Sequence, residues 1–295
     1  MKPSVWPEGL DHIWAKSSEK GEGGQAESLA THSWNVLCTL AELARMRPTL
    51  PETVQCPSLW HRLYWAAFLH DWGKIAPGFQ RMLRGGPRWP HRHEVFSLAF
   101  LNWLDEATCA SDGPWIAAAI VSHHRDANDI VMLYDEPDEP DDDDQVAAEL
   151  AQIAPESRCA LWCWLNTCAN AWIVDLGFDA AGVRPMEFDH KVATGAGPQA
   201  VIVYDWLRRY HRLVRSLDKP GQVAARTAAI ALRGHLLIAD HVASAHVGSL
   251  PSAEMDADAI LRKSGDLART ALYDHQVMAW EASRQALLEA PTGSG

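Results

Sequence analysis

"AAFLHDWGKIAPGFQ", residues 66–80, drives an apolar run into a His-Asp pair and then into Gly-Lys. Counted back at helical spacing, His70 shares a face with Ala67, Ala66, Leu63 and Leu59. Residues 58–71 therefore read as a helix that ends by placing an imidazole on its core side and a carboxylate beside it. A buried carboxylate is costly unless it is paired or bound to metal. The pair is thus either a helix-end accident or part of a metal site, and the rest of the chain decides which.

Working outward, helical periodicity dominates and strand-like alternation is scarce. Residues 26–46 align Leu29, His32, Val36, Leu40 and Leu43; further helices are expected over 92–107, 114–124, 157–176 and roughly 222–248. Loops are expected at 17–25, 84–90, 126–145 and 179–199, each rich in Gly, Pro or charge. No internal repeat is present. The fold class expected is all-α, a helical bundle with a dinuclear metal site between helices.

The composition bounds the function. With 295 residues, 47% of them hydrophobic, and fourteen Trp, the chain can bury a large core. Its six Cys include no C-x-x-C pair, so neither a zinc ribbon nor a disulfide scaffold is indicated, and a reducing cytoplasm is the expected setting. The N-terminus lacks the apolar region of a signal peptide. The longest uncharged stretch, 159–174, is short for a membrane span and reads as a buried helix; no membrane partner is expected. The net charge is −12, but the run "DEPDEPDDDD" (135–144) supplies eight of the acids, and a Pro-punctuated acidic run reads as a solvated loop. That balance weakens a nucleic-acid partner without excluding one, because bound divalent cations add positive charge where a phosphate must sit.

Four polar residues interrupt apolar helical faces. His32 lies among Leu29, Val36 and Leu40, and His70 follows Leu63 and Ala67. His123 continues the Ile116 and Ile120 face, and Asp240 shares a face with Leu236, Ala243 and Val247. One such histidine is ordinarily a hydrogen-bonded core residue. Several His and Asp on different helices favour a metal, since imidazole and carboxylate together suit Mn, Fe, Co, Ni or Zn. Asp71 can offer one oxygen to each of two ions about 3.5–4 Å apart. Adjacent His123 and His124 point about 100° apart on a helix, so they converge only at a helix end or between two metals.

This order of residues resembles the HD-domain signature, and most closely the HD nuclease domain of the CRISPR-associated type I nuclease–helicase. The likeness rests on "IWAKSS" and "SLATHSWNV", "FLHDWGKIAPGFQ", "HRHEVFS", "IVSHHRD" and "IADHVAS", and spans residues 10–250 in outline. It implies His32, His70, Asp71 and Asp240 around one divalent ion, and Asp71, His93, His123 and His124 around a second. Mn, Fe, Co or Ni are expected rather than Mg. Lys74 is implied beside the site as a cation for phosphoryl charge, with Asp71 at the catalytic centre. His91 is the alternative to His93, and Asp175 the alternative to Asp240. The family often has Trp where His241 stands, and 115 residues separate His124 from Asp240, so an insertion must be accommodated.

The final residues extend the resemblance. "LLEAPTGSG" (287–295) is similar to the first motif of a superfamily 2 helicase, cut before its Lys, and "YDHQ" with Gln276 looks like the adenine-reading Q motif. Residues 1–250 are then expected to be a metal-dependent nuclease domain with an acidic insertion at about 126–145. Residues 251–295 would be a linker and the start of a helicase whose ATP site is incomplete.

The implied activity is two-metal hydrolysis of single-stranded DNA, endonucleolytic and 3′-to-5′, with the helicase domain of the same protein and a crRNA-guided surveillance complex as partners. Arg81, Arg84, Arg88 and Arg92 are candidate phosphate contacts, or equally a solvated loop. The rival functions are an HD phosphohydrolase of small nucleotides and a non-catalytic, metal-stabilised docking module for the helicase.

Overall fold

The computed structural model describes residues 2–17, 26–104, 110–124, 130, 133–134, 144–189 and 197–246. The chain divides between Leu250 and Pro251, and every described residue belongs to the first unit. The expected linker, Gln276 and the truncated helicase motif lie outside the described residues, as does nearly all of the acidic run.

The fold is all-α, with one two-stranded antiparallel ribbon, β1 (Trp14–Lys16) and β2 (Glu27–Ser28), against its start. The helices, in order, are α1 (Leu29–Met46), α2 (Leu50–Thr53), α3 (Leu59–Leu69), α4 (Pro77–Leu83), α5 (His93–Ser97) and α6 (Gly113–Ser122). They continue as α7 (Gln145–Ala151), α8 (Pro155–Trp164), α9 (Asn170–Asp175), α10 (Ala200–Leu217) and α11 (Val223–Ser244). Short 3-10 helices span Trp72–Ile75 and Leu98–Trp103.

α3 forms the centre. Leu59 through Leu69 is buried at every position except Arg62, so the helix is enclosed on all sides. α1, α6 and α11 pack against it. Beyond its C-terminus the core is aromatic: Trp72 stacks on Trp164 with ring centroids 5.2 Å apart, and Phe68 meets Trp164 at 4.9 Å and Trp172 at 5.7 Å. These rings are buried together.

The short helices α2, α4 and α7 and the β-ribbon add to the expected elements, and the larger departures are these. The helix expected over 92–107 is α5 followed by the Leu98–Trp103 3-10 turn, after which Leu104 bridges to Phe188. The stretch 157–176 is helical but not enclosed: Trp164, Leu165, Cys168 and Trp172 are buried, while Cys159, Cys163 and Val174 face solvent. A π turn at Leu165–Ala169 interrupts it, and the buried Tyr64 hydroxyl donates to the Ala169 carbonyl there at 2.5 Å. α10 was not among the expected elements, although Val203, Tyr204, Leu207 and Tyr210 bury one side of it.

Candidate metal centre

Each polar residue that broke an apolar face sits at or near a helix end, and the ends meet. His32 lies in the first turn of α1, whose N-cap Ser28 accepts from the Thr31 N–H at 3.2 Å. His70 and Asp71 follow α3; His93 opens α5; His123 and His124 directly follow α6; Asp240 lies in the last two turns of α11. The break after Ser122 resolves the convergence of the paired histidines: off the helix, their rings lie 3.9 Å apart.

Gly73 explains why Gly-Lys follows His-Asp. The Trp72–Ile75 turn presses against α5, and a Cβ on Gly73 would collide with the His93 carbonyl oxygen and meet Ser97 N at 2.7 Å and Phe96 Cβ at 2.8 Å. The Gly73 N–H donates to Ser97 Oγ at 2.8 Å, and that hydroxyl reaches back to the His70 carbonyl oxygen at 2.6 Å. This close approach ties the His70–Lys74 segment to the helix carrying His93.

Asp71 occupies the middle, 1% exposed. Its Oδ2 faces His32 Nε2 at 3.3 Å, His70 Nε2 at 3.4 Å and Lys74 Nζ at 2.6 Å. Its Oδ1 faces His93 Nε2 at 3.0 Å. Asp240 repeats the division, with Oδ1 3.0 Å from His32 Nε2 and Oδ2 4.0 Å from His124 Nε2. Ser244 donates to Asp240 Oδ1 at 3.2 Å. The centre is closed except near His93 and His124, whose side chains are 12% and 28% exposed.

Backbone carbonyls fix two of the rings. His70 Nδ1 lies 2.7 Å from the Ala67 carbonyl oxygen, and His123 Nδ1 2.5 Å from that of Ile120. A carbonyl only accepts, so Nδ1 carries the proton and Nε2 turns its lone pair to the centre.

The charge states follow from burial and neighbours. Burial would raise the Asp71 pKa, but His70, Lys74 and His93 outweigh it and hold the carboxyl well below its usual range. Burial would likewise raise Asp240, yet its hydrogen bond to His32 and the charge of His70 lower it. For His32, burial lowers the pKa while Asp240 and Glu27 raise it, with a net increase. Burial lowers His70, and burial with its imidazole neighbours lowers His123 well below 6.5. His124 is lowered by burial and by His93, to about 4. The centre thus combines ionised carboxylates with mostly neutral imidazoles, the protonation states that metals require.

The donors fit divalent ions. His70 Nε2, both Asp71 oxygens, His93 Nε2 and His123 Nε2 are buried without a hydrogen-bond partner, their mutual contacts being close but misaligned. Their atoms fall into three groups, each within 4.8 Å: His32, His70 and Asp240; His70, Asp71 and His123; and His93, His123 and His124. Ligands about 2.1 Å from an ion lie at most about 4.2 Å apart, close to this spacing.

Other expected residues are placed elsewhere. His91 packs between Trp89 and Phe96. Asp175 accepts from the Ser4 N–H and hydroxyl at 2.8 Å. Of the four arginines, two are structurally engaged. Arg84 donates to Gln80 and to the His12 carbonyl and lies 4.3 Å over the Trp14 ring; Arg92 pairs with Glu94 at 2.6 Å. Arg81 and Arg88 are exposed. Glu27 and Ser97 were not legible as site residues: Glu27 precedes and Ser97 follows a ligand at short range, but neither carries a spacing signal of its own.

A helical bundle whose ends bring together His, His-Asp, His, His-His and a late Asp defines the HD class of metal-dependent hydrolases. Within that class, the family model described as "Cas3, HD domain" matches residues 14–247, and the chain belongs to that family, one of metal-dependent HD nucleases. Comparison with the curated proteins and with the solved structures gives no match. Among the described residues, no helix is long and apolar enough to cross a membrane.

Proposed function

We propose that this chain is the nuclease part of a longer nuclease–helicase and cleaves single-stranded DNA at two divalent ions, Mn, Fe, Co or Ni in preference to Mg. The observation that carries the proposal is the division of one carboxylate between two donor sets: Asp71 Oδ2 toward His32 and His70, and Oδ1 toward His93. His32, His70, Asp71 and Asp240 would hold one ion, and Asp71, His93, His123 and His124 the other.

When bound, such ions acidify a water and offset phosphoryl charge. The chain's own residues supply the setting. Burial around Asp71 excludes bulk water, and the carbonyl-anchored His70 and His123 keep fixed orientations. The Lys74 ammonium beside Asp71 offsets negative charge brought in by a phosphate. The opening by His93 and His124 is where substrate meets the centre. Exposed Arg81 and Arg88 are the proposed phosphate contacts, while Arg84 and Arg92 serve the fold. Residues 251–295 would lead into the helicase, which feeds the strand, and a crRNA-guided complex would select the target.

The test is cleavage of circular single-stranded DNA by the metal-stripped chain supplied with Mn²⁺, Ni²⁺ or Mg²⁺, beside Asp71→Ala. Cleavage that needs a transition metal and falls to background in the variant is expected. Intact DNA with turnover of free nucleotides would make the protein a small-molecule phosphohydrolase. Metal binding with neither activity would make it a docking module.

A further inference from the structure

Two buried carboxylates stand behind the centre. Glu27, on β2, places Oε2 3.4 Å from His32 Nδ1 and 3.5 Å from Lys16 Nζ on β1, while its Oε1 accepts from Asn35 Nδ2 at 3.1 Å. Glu94, fully buried on α5, places Oε2 3.5 Å from His93 Nδ1, and its Oε1 is held by Arg92 at 2.6–2.7 Å. Lys16 Nζ, Glu27 Oε2, His32 Nδ1 and Glu94 Oε2 are all buried and form no aligned hydrogen bond, so these ion-pair contacts are the polar company they keep. The arrangement is the same twice: cation, carboxylate, imidazole, centre.

We infer that Glu27 and Glu94 are positioning residues that hold the Nδ1–H of His32 and His93, each carboxylate itself held in place by a cation, so that one imidazole of each ligand set is backed by a carboxylate. The chemistry requires something at these nitrogens. A ring that presents Nε2 to a metal must carry its proton on Nδ1, and a buried N–H needs an acceptor. His70 and His123 find theirs in carbonyl oxygens of their own helices. His93 opens α5, with no carbonyl of its own helix upstream, and His32, the fourth residue of α1, turns its Nδ1 to Glu27 Oε2 and not to the Leu29 carbonyl three residues upstream. Side chains take the place of the helix carbonyl at both rings, and the two acids are what the fold supplies. A carboxylate also makes the ring a stronger donor than a carbonyl does. The β-ribbon thereby gains a role: it brings Lys16 and Glu27 to the back of His32.

This inference rests on the metal reading above, and its test separates the two. The full chain is titrated with Co²⁺ and with Zn²⁺, with a chelating dye as competitor. Two-bond ¹H–¹⁵N correlations of the Zn²⁺-loaded, ¹⁵N-histidine-labelled protein report the tautomers. Proton-bearing Nδ1 is expected for His32 and His93. Glu27→Ala should weaken one equivalent of metal about 10–100-fold, and Glu94→Ala the other, as for loss of an outer-shell partner. Glu27→Gln and Glu94→Gln keep a neutral acceptor and should fall between wild type and Ala, which also covers the case in which Glu94→Ala does not fold.

Wild-type affinity and unchanged Nδ1 signals in folded Gln and Ala variants would overturn the inference while leaving the metal centre standing. A wild-type chain that binds no metal would overturn both. Metal binding without DNA cleavage would remove the nuclease reading alone.

Discussion

Gly73→Ala is the sharpest single test of how the centre is assembled. The new methyl would enter the seam between the Trp72–Ile75 turn and α5, where it would collide with the His93 carbonyl oxygen and meet Ser97 N at 2.7 Å and Phe96 Cβ at 2.8 Å. All three atoms belong to the backbone or Cβ positions of α5, so none can swing aside as a flexible side chain could. Overpacking of this kind costs about 1–3 kcal/mol, and the backbone contact places it at the upper end. Spreading the seam also strains the Gly73 N–H bond to Ser97 Oγ, worth about 1 kcal/mol. Against this, alanine restricts the unfolded chain and returns about 0.4–1 kcal/mol. The net loss is about 3 kcal/mol, or about 6–12 °C in Tm for a unit of this size. The assay is thermal melting followed by circular dichroism, on metal-stripped protein so that ligand binding does not intrude. Gly234→Ala is the matched control. It lies inside α11 with nothing within 4 Å of its Cβ position, and should raise stability by about 1 kcal/mol. A Gly73→Ala variant that melts within about 2 °C of wild type, or no lower than Gly234→Ala, would refute the reasoning.

Two further outcomes are expected. The metal-stripped protein should lose stability on acidification from about pH 6.5 to about 4: His70, His123 and His124 have lowered pKa values, so the unfolded chain binds more protons in that window. His32, raised, opposes this with a contribution present below 6.5 and lost as the pH climbs through its folded value, but it stands alone against these three and the likewise lowered His61, His91 and His235; a higher Tm at pH 5 than at pH 7 would contradict the assignment. Tyr64→Phe should cost about 1–3 kcal/mol, because the Ala169 carbonyl in the π turn loses its buried donor, and an unchanged Tm would show that the bond contributes nothing.

The helices that carry the centre were legible because their apolar period is strong and their exceptions are few. α1, α3 and α11 each carry an apolar face that runs into an inward-pointing His or Asp of the centre, while the other buried histidines, His61 on α3 and His235 on α11, face Asp112 and Arg47 instead. α10 has an apolar side of the same kind, but it carries no ligand and follows a Gly- and Pro-rich stretch, so attention to the motif passed over it. The enclosed helix expected over 159–174 fails for a plain reason. Absence of charge does not require burial, and Cys159, Cys163 and Val174 stand in water on its outer side.

By itself the sequence determined the all-α class, the family, and the residue types that gather at the centre, because helical spacing is local and a buried His or Asp is conspicuous against Leu and Ala. Only the tertiary structure decided which atoms face one another. It turned one Asp71 oxygen toward His32 and His70 and the other toward His93, ended α6 so that His123 and His124 converge, and set Asp240 beside His32 across 208 positions of chain. It also set Arg84 over the Trp14 ring, paired Arg92 with Glu94, and brought Glu27 and Glu94 behind the imidazoles. These are contacts between elements distant in sequence, fixed by how helices pack, and no local spacing encodes them.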